Sequence, residues 1–126
     1  MKYPYNKNYR PAFPATEIVL HNPERERRTE TVPALLDSGA DGTLVPLAYL
    51  RQIVAPVIQE TRMRSHWGEW RYVEQFLVEL EIAQLKVSGI LVVGDEVGDE
   101  IVLGRDVINK FRVLLDGPNQ ITDIKG

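Results

Sequence analysis

The chain has 126 residues, 44% of them hydrophobic and 26% charged, with a formal net charge of −3. That is the profile of one soluble globular domain with a modest core, and the charge gives no general drive toward nucleic acid or anionic membranes. Cysteine is absent, which excludes disulfides, thiolate metal sites and cysteine nucleophiles and suits a reducing cytoplasmic setting.

Residues 1–14 are rich in proline, tyrosine and asparagine without any period, and read as an extended arm preceding a domain over 15–126. They hold no apolar stretch of the secretory kind. "ATEIVLHN" reads as a strand and "NPERERR" as a charged, solvated hairpin loop. "TETVPALLD" is a second strand, in which Pro33 predicts an edge or a bulge. "TLVP" is a third, with a turn or two of helix in "LAYLRQI" after Pro46. "APVIQETRMR" and "RYVEQFLVELEIA" flank a polar turn, and in the latter Phe76, Val78, Leu80 and Ile82 alternate with Leu77, Glu79 and Glu81. "LKVSGILVVGD" and "EIVLG" are strands around the turn "EVGDE". "RDVINKF" reads as a short helix, "RVLLDG" and "NQITDI" as final strands. Short strands with turn signals every eight to twelve residues predict an all-β barrel or sandwich with one short C-terminal helix. The longest apolar run is far below the ~20 residues a membrane-spanning helix needs.

Several chemistries fail on residue type or spacing. His21 and His66 are too far apart in sequence to indicate a metal site, and no H-E-x-x-H, G-x-S-x-G or phosphate-loop pattern occurs. Asp37-x-Gly39-x-Asp41-Gly42 imitates the start of an EF-hand loop, but Gly39 and Ala48 stand where ligands are required. No metal and no cofactor is expected. What remains is Asp37 at the end of the apolar strand "ALLD", followed by small residues that let a substrate backbone approach. Gly39 lets the chain reverse. On these residues alone, a strand-ending Asx turn and a working carboxylate are both open.

The wider pattern separates them. "LLDSGADGTLVP" resembles the active-site segment of the retroviral-type aspartic proteases, the retropepsins: two apolar residues, D-[ST]-G-A-[DS], then threonine and further apolar residues. The second half of that signature, an apolar run followed by G-R-[DN], is matched by Ile101-Val102-Leu103-Gly104-Arg105-Asp106. Gly104 lies 67 positions after Asp37, close to the spacing of these compact enzymes, and the similarity covers roughly residues 15–124.

The resemblance implies a closed acid-protease-like barrel carrying half an active site per chain. Asp37 would be the catalytic acid, Ser38 would send its hydroxyl across a twofold axis, and Gly39 would present its backbone to the substrate. Asp41 and Gly42 would line the substrate, with Asp41 also pairing Arg105; Thr43, Gly104 and Arg105 would support the site and the dimer. Peptide hydrolysis by this route needs two carboxyls sharing one proton, and the chain has a single D-S-G. The second acid would therefore come from an identical subunit in a closed dimer. "MRSHWGEWRY" stands where the family has its flap hairpin. It departs from the pattern in having only Gly68 at its tip, and Trp67 and Trp70 either close over substrate side chains or pack against the barrel. The arm and "NQITDI" are expected to interleave with the partner as chain ends do in that family, or the arm to be disordered. The expected partners are a second copy and an extended polypeptide cut between bulky apolar residues, with no nucleic acid and no membrane. The unusual flap keeps open an alternative, a catalytically silent protease-like dimer that binds peptide or serves assembly.

Overall fold

The computed structural model describes residues 1–64 and 68–126. The strands are β1 (Lys2–Pro4), β2 (Ala15–His21), β3 (Val32–Leu36), β4 (Leu44–Pro46), β5 (Val57–Arg64), β6 (Trp70–Ile82), β7 (Leu85–Asp95), β8 (Ile101–Leu103), β9 (Arg112–Asp116) and β10 (Ile121–Lys125). Two short helices, α1 (Leu47–Gln52) and α2 (Arg105–Ile108), complete the order.

Six strands close a ring in the order β2-β3-β8-β4-β7-β6, with β6 returning to β2. The alternation in β6 dictates its inward face: Phe76, Val78, Leu80 and Ile82 are all buried, each adding to the apolar area removed from water. Ile18 and Leu20 of β2, Val45 of β4, Val92 of β7 and Leu103 of β8 join them in one buried core. The "ERERR" loop is exposed as expected. It is anchored at its start by Asn22, whose side-chain Oδ1 accepts the Glu24 and Arg25 N–H groups while its Nδ2 donates to the Ile53 and Val54 carbonyls.

One expectation needs correction. β3 lies inside the ring between β2 and β8, so Pro33 does not mark an edge strand. The β3–β8 ladder begins only at Ala34, opposite Ile101. Pro33 therefore sits just outside the stretch where a missing N–H would break a ladder bond. The leading arm is ordered against its own chain. β1 pairs antiparallel with β10 of its own chain, and Asn6 bridges Phe13. Together β1, β10 and β9 form a second, three-stranded sheet.

β5 pairs with the N-terminal half of β6, from Val57 opposite Phe76 to Arg64 opposite Trp70. The β6–β7 ladder stops at Gln75. The far part of the β5–β6 hairpin thus projects beyond the ring, where the sequence places the flap. Gly68 has φ +82, a conformation that glycine adopts without steric cost.

Candidate active site

The apolar run of β3 ends at Leu36, and the next residue extends its pairing by one step, the Asp37 N–H donating to the Leu103 carbonyl at 3.0 Å. There the chain turns. Ala40 N–H donates to the Asp37 carbonyl, and Gly39 N–H donates to Asp37 Oδ1 at 2.9 Å. The Asx turn and the free carboxylate are therefore one geometry: one oxygen is held by the turn while the half-buried group stays open to the surface. A Cβ at Gly39 would stand 3.1 Å from Asp37 Oδ1, so any side chain there would crowd the carboxylate.

The 37–43 loop is braced against the start of α2 by a set of contacts more than sixty positions apart in sequence. Thr43 is fully buried. Its hydroxyl donates to Asp106 Oδ1 at 2.8 Å and accepts the Gly104 N–H at 3.1 Å. Asp106 Oδ2 also accepts the Thr43 N–H. Arg105 N–H donates to the Ala40 carbonyl, and its guanidinium spans Ser38 and Asp41, donating to the Ser38 carbonyl and pairing with the Asp41 carboxylate. Gly104 has to be glycine: an added Cβ would lie 2.4 Å from the Gly42 carbonyl oxygen and 2.9 Å from that of Ala40, inside any tolerable contact.

The fold thus brings together Asp37, Ser38, Gly39, Asp41, Gly42, Thr43, Gly104 and Arg105. Asp106 is the residue that sequence reasoning passed over. The G-R-D triplet contained it, and an acid following an α2-opening glycine was the available signal. The Asp41–Arg105 pair is solvent-facing, with the Asp41 side chain 92% exposed, so its value lies in orientation rather than stability.

The flap residues stand apart from this cluster. Trp70 is 57% exposed and not packed into the barrel; the guanidiniums of Arg62 and Arg64 lie 5.0 and 5.9 Å from its ring, within cation–π range. Trp67 and His66 lie outside the described residues. Among the described residues no cluster of His, Asp or Glu has the arrangement of a metal site, and no helix is long and apolar enough to cross a membrane.

No family model and no curated protein matches the chain in sequence. Solved structures do match in fold. The equine infectious anaemia virus (EIAV) protease, complexed with the inhibitor HBY-793, aligns with a TM-score of 0.57 at 21% identity, over 78% of this chain and 86% of that one. A retropepsin-like aspartic protease from Rickettsia conorii aligns with a TM-score of 0.60 at 12% identity, over 87% and 90% of the two chains. The protease–reverse transcriptase of a foamy virus matches at 0.55 and 16% identity, over 79% of this chain and 12% of that much longer one. The closed six-strand barrel, its projecting hairpin and the short helix after Gly104 have the retropepsin-like aspartic protease fold.

Proposed function

We propose that the chain is one half of a homodimeric aspartic endopeptidase acting on extended polypeptides. The observation that carries this reading is the bracing of the Asp37 turn by Gly104, Arg105 and Asp106. A turn serving only to end a strand needs no such support, whereas a reacting carboxyl must be held in place before substrate arrives.

In the dimer the two Asp37 carboxyls would meet about 3 Å apart and hold one proton between them. The ionised member takes a proton from a water molecule, whose oxygen attacks the scissile carbonyl carbon. The protonated member gives its proton to the carbonyl oxygen, forming a tetrahedral diol. Collapse breaks the C–N bond, with a proton passing to the leaving amine and the carboxyl pair restored to its starting state. Ser38 would steady the axis through the partner's backbone, Gly39 and Asp41 would hold substrate main chain, and the β5–β6 hairpin would close over an extended peptide by strand addition. Bulky apolar side chains flanking the cut site are the expected preference.

The experiment is hydrolysis of an unfolded protein and of apolar peptides across roughly pH 3–7, with and without a statine-type inhibitor. Turnover at acidic pH, blocked by the inhibitor and lost in Asp37→Asn, is the expected result. Cleavage that survives Asp37→Asn would remove the assignment.

A further inference from the structure

A cavity of about 230 Å³ opens where β2, β3 and β8 lie side by side. Alternation along β3 sets its floor. Ala34 and Leu36 face the barrel core, whereas Leu35 is buried without belonging to that core. Leu35 therefore points to the opposite face of the strand, the face that Asp37 reaches two positions later. Ala15, paired with Leu35 across β2 and β3, shares that face, and both residues line the cavity. The cavity thus begins one pleat repeat, roughly 7 Å, from Asp37.

Its far end is acidic. Glu17 lies two positions beyond Ala15, opposite Pro33, and Asp99 and Glu100 immediately precede β8. All three acids line the cavity, and its lining residues include no lysine, arginine or histidine. The Glu17 and Asp99 carboxylates make no ion pair among the described residues. The Glu100 carboxylate accepts the Tyr9 hydroxyl, which leaves most of its acceptor capacity unused. Pro4 and Asn6 of the leading arm close another side. An apolar floor beside Asp37 thus ends in three carboxylates with no cation in the wall.

We propose that this slot receives a lysine or arginine side chain of the polypeptide substrate, from a residue flanking the scissile bond. The assignment rests on the endopeptidase reading and adds a basic preference at one flanking position to the apolar one. The occupant follows from size and charge. Sites for free small molecules run to roughly 300–1,000 Å³, so the slot suits a single side chain better than a separate ligand. A leucine or phenylalanine would cover Leu35 and gain nothing from the acids beyond it. A lysine lays its four-carbon stem along Leu35 and Ala15 and carries its ammonium on to Glu17, Asp99 and Glu100. An arginine does the same with a fork that matches a carboxylate. An acidic side chain meets three like charges and is rejected. A closed dimer repeats the slot on each side of the cut, so the basic residue is accepted either before or after the scissile bond.

The test compares peptides that differ at one residue flanking the cut, which is lysine, its apolar counterpart norleucine, or glutamate. It is run at about pH 6, above the ordinary carboxylate range. The lysine peptide is expected to show a kcat/KM about tenfold above the norleucine peptide, with glutamate the poorest. In the double variant Glu17→Gln/Asp99→Asn, which leaves the Tyr9–Glu100 bond in place, the lysine-to-norleucine ratio should fall severalfold. Fluorescence anisotropy of the same peptides on Asp37→Asn reads the preference without turnover. Cleavage with a ratio near one, or a lysine preference undiminished in the double variant, would overturn the slot and leave the protease reading intact. Tighter lysine binding with no cleavage of any peptide sustains the slot and removes the protease reading. No cleavage together with equal binding of all three peptides overturns both.

Discussion

Thr43→Val tests the brace beneath the carboxylate, since valine nearly preserves shape and removes only the hydroxyl. The wild-type hydroxyl is itself fully buried and makes two bonds, one to the half-buried Asp106 carboxylate and one from the Gly104 N–H. The first is a bond to a charged acceptor and contributes about 1.5–3 kcal/mol; the second, once lost, leaves a buried donor unsatisfied at a cost of about 1–3 kcal/mol. Asp106 keeps the N–H groups of Thr43 and Val107, which offsets part of the loss. The expected destabilisation is roughly 2–5 kcal/mol, equivalent to a fall in Tm on the order of 10 °C. Thr43→Ser keeps the hydroxyl and loses one buried methyl, at about 1 kcal/mol. Urea denaturation of both variants measures the difference, and peptide turnover should fall much further in Thr43→Val than in Thr43→Ser. Equal stabilities for the two variants would refute the bracing argument.

Arg105→Lys keeps the charge but cannot hold the Ser38 carbonyl and Asp41 together as the fork does. Stability should change by less than about 1 kcal/mol, while kcat for peptide cleavage drops at least about tenfold; an unchanged kcat would argue against a positioning role. Val54 follows α1 with φ 54, a left-handed conformation that a β-branched residue adopts only under strain. Val54→Asn should therefore raise stability by ~0.5–1 kcal/mol in a denaturant titration, and a destabilised variant would contradict the strain. The Asp116 carboxyl is lowered chiefly by the Asn119 side-chain bond, then by the Asn119 backbone N–H. Because the folded-state value is depressed, its contribution to stability is present above the ordinary carboxylate range and is lost as pH falls through the lowered value. Asn119→Ala should move the Asp116 titration upward when followed by NMR, and a midpoint that does not move would refute the turn's role.

What was legible in the sequence was whatever neighbouring residues decide between themselves. The alternation from Phe76 to Ile82 announces a half-buried strand because each side chain reports its own face, and those residues are buried as read. Gly68 and the "EVGDE" turn are local in the same sense. The β1–β10 pairing was not legible. "KYP" has no alternation to read, and its partner is at the other end of the chain. Backbone pairing of so short a strand leaves almost no imprint on side-chain type. Pro33 misled for a related reason. A proline forbids a bond at one position, but where the neighbouring ladder begins is set by β8, far away in sequence.

The site divides along the same line, and the division has a physical basis. Asp37, Ser38 and Gly39 are readable together because a tight turn imposes small residues on adjacent positions. The brace from Gly104 to Asp106 is a long-range device, visible in the sequence only through its resemblance to a known signature. Even so, that resemblance pointed to the exposed Asp41–Arg105 pair ahead of the bond between buried Thr43 and half-buried Asp106. Charge is conspicuous in a sequence, while burial is not. Yet burial decides the energetics. A solvent-screened ion pair contributes little, whereas a hydroxyl shared by a carboxylate and an amide away from water is costly to lose. The position of Asp37 thus depends more on a buried threonine and the half-buried aspartate it bonds than on the exposed arginine.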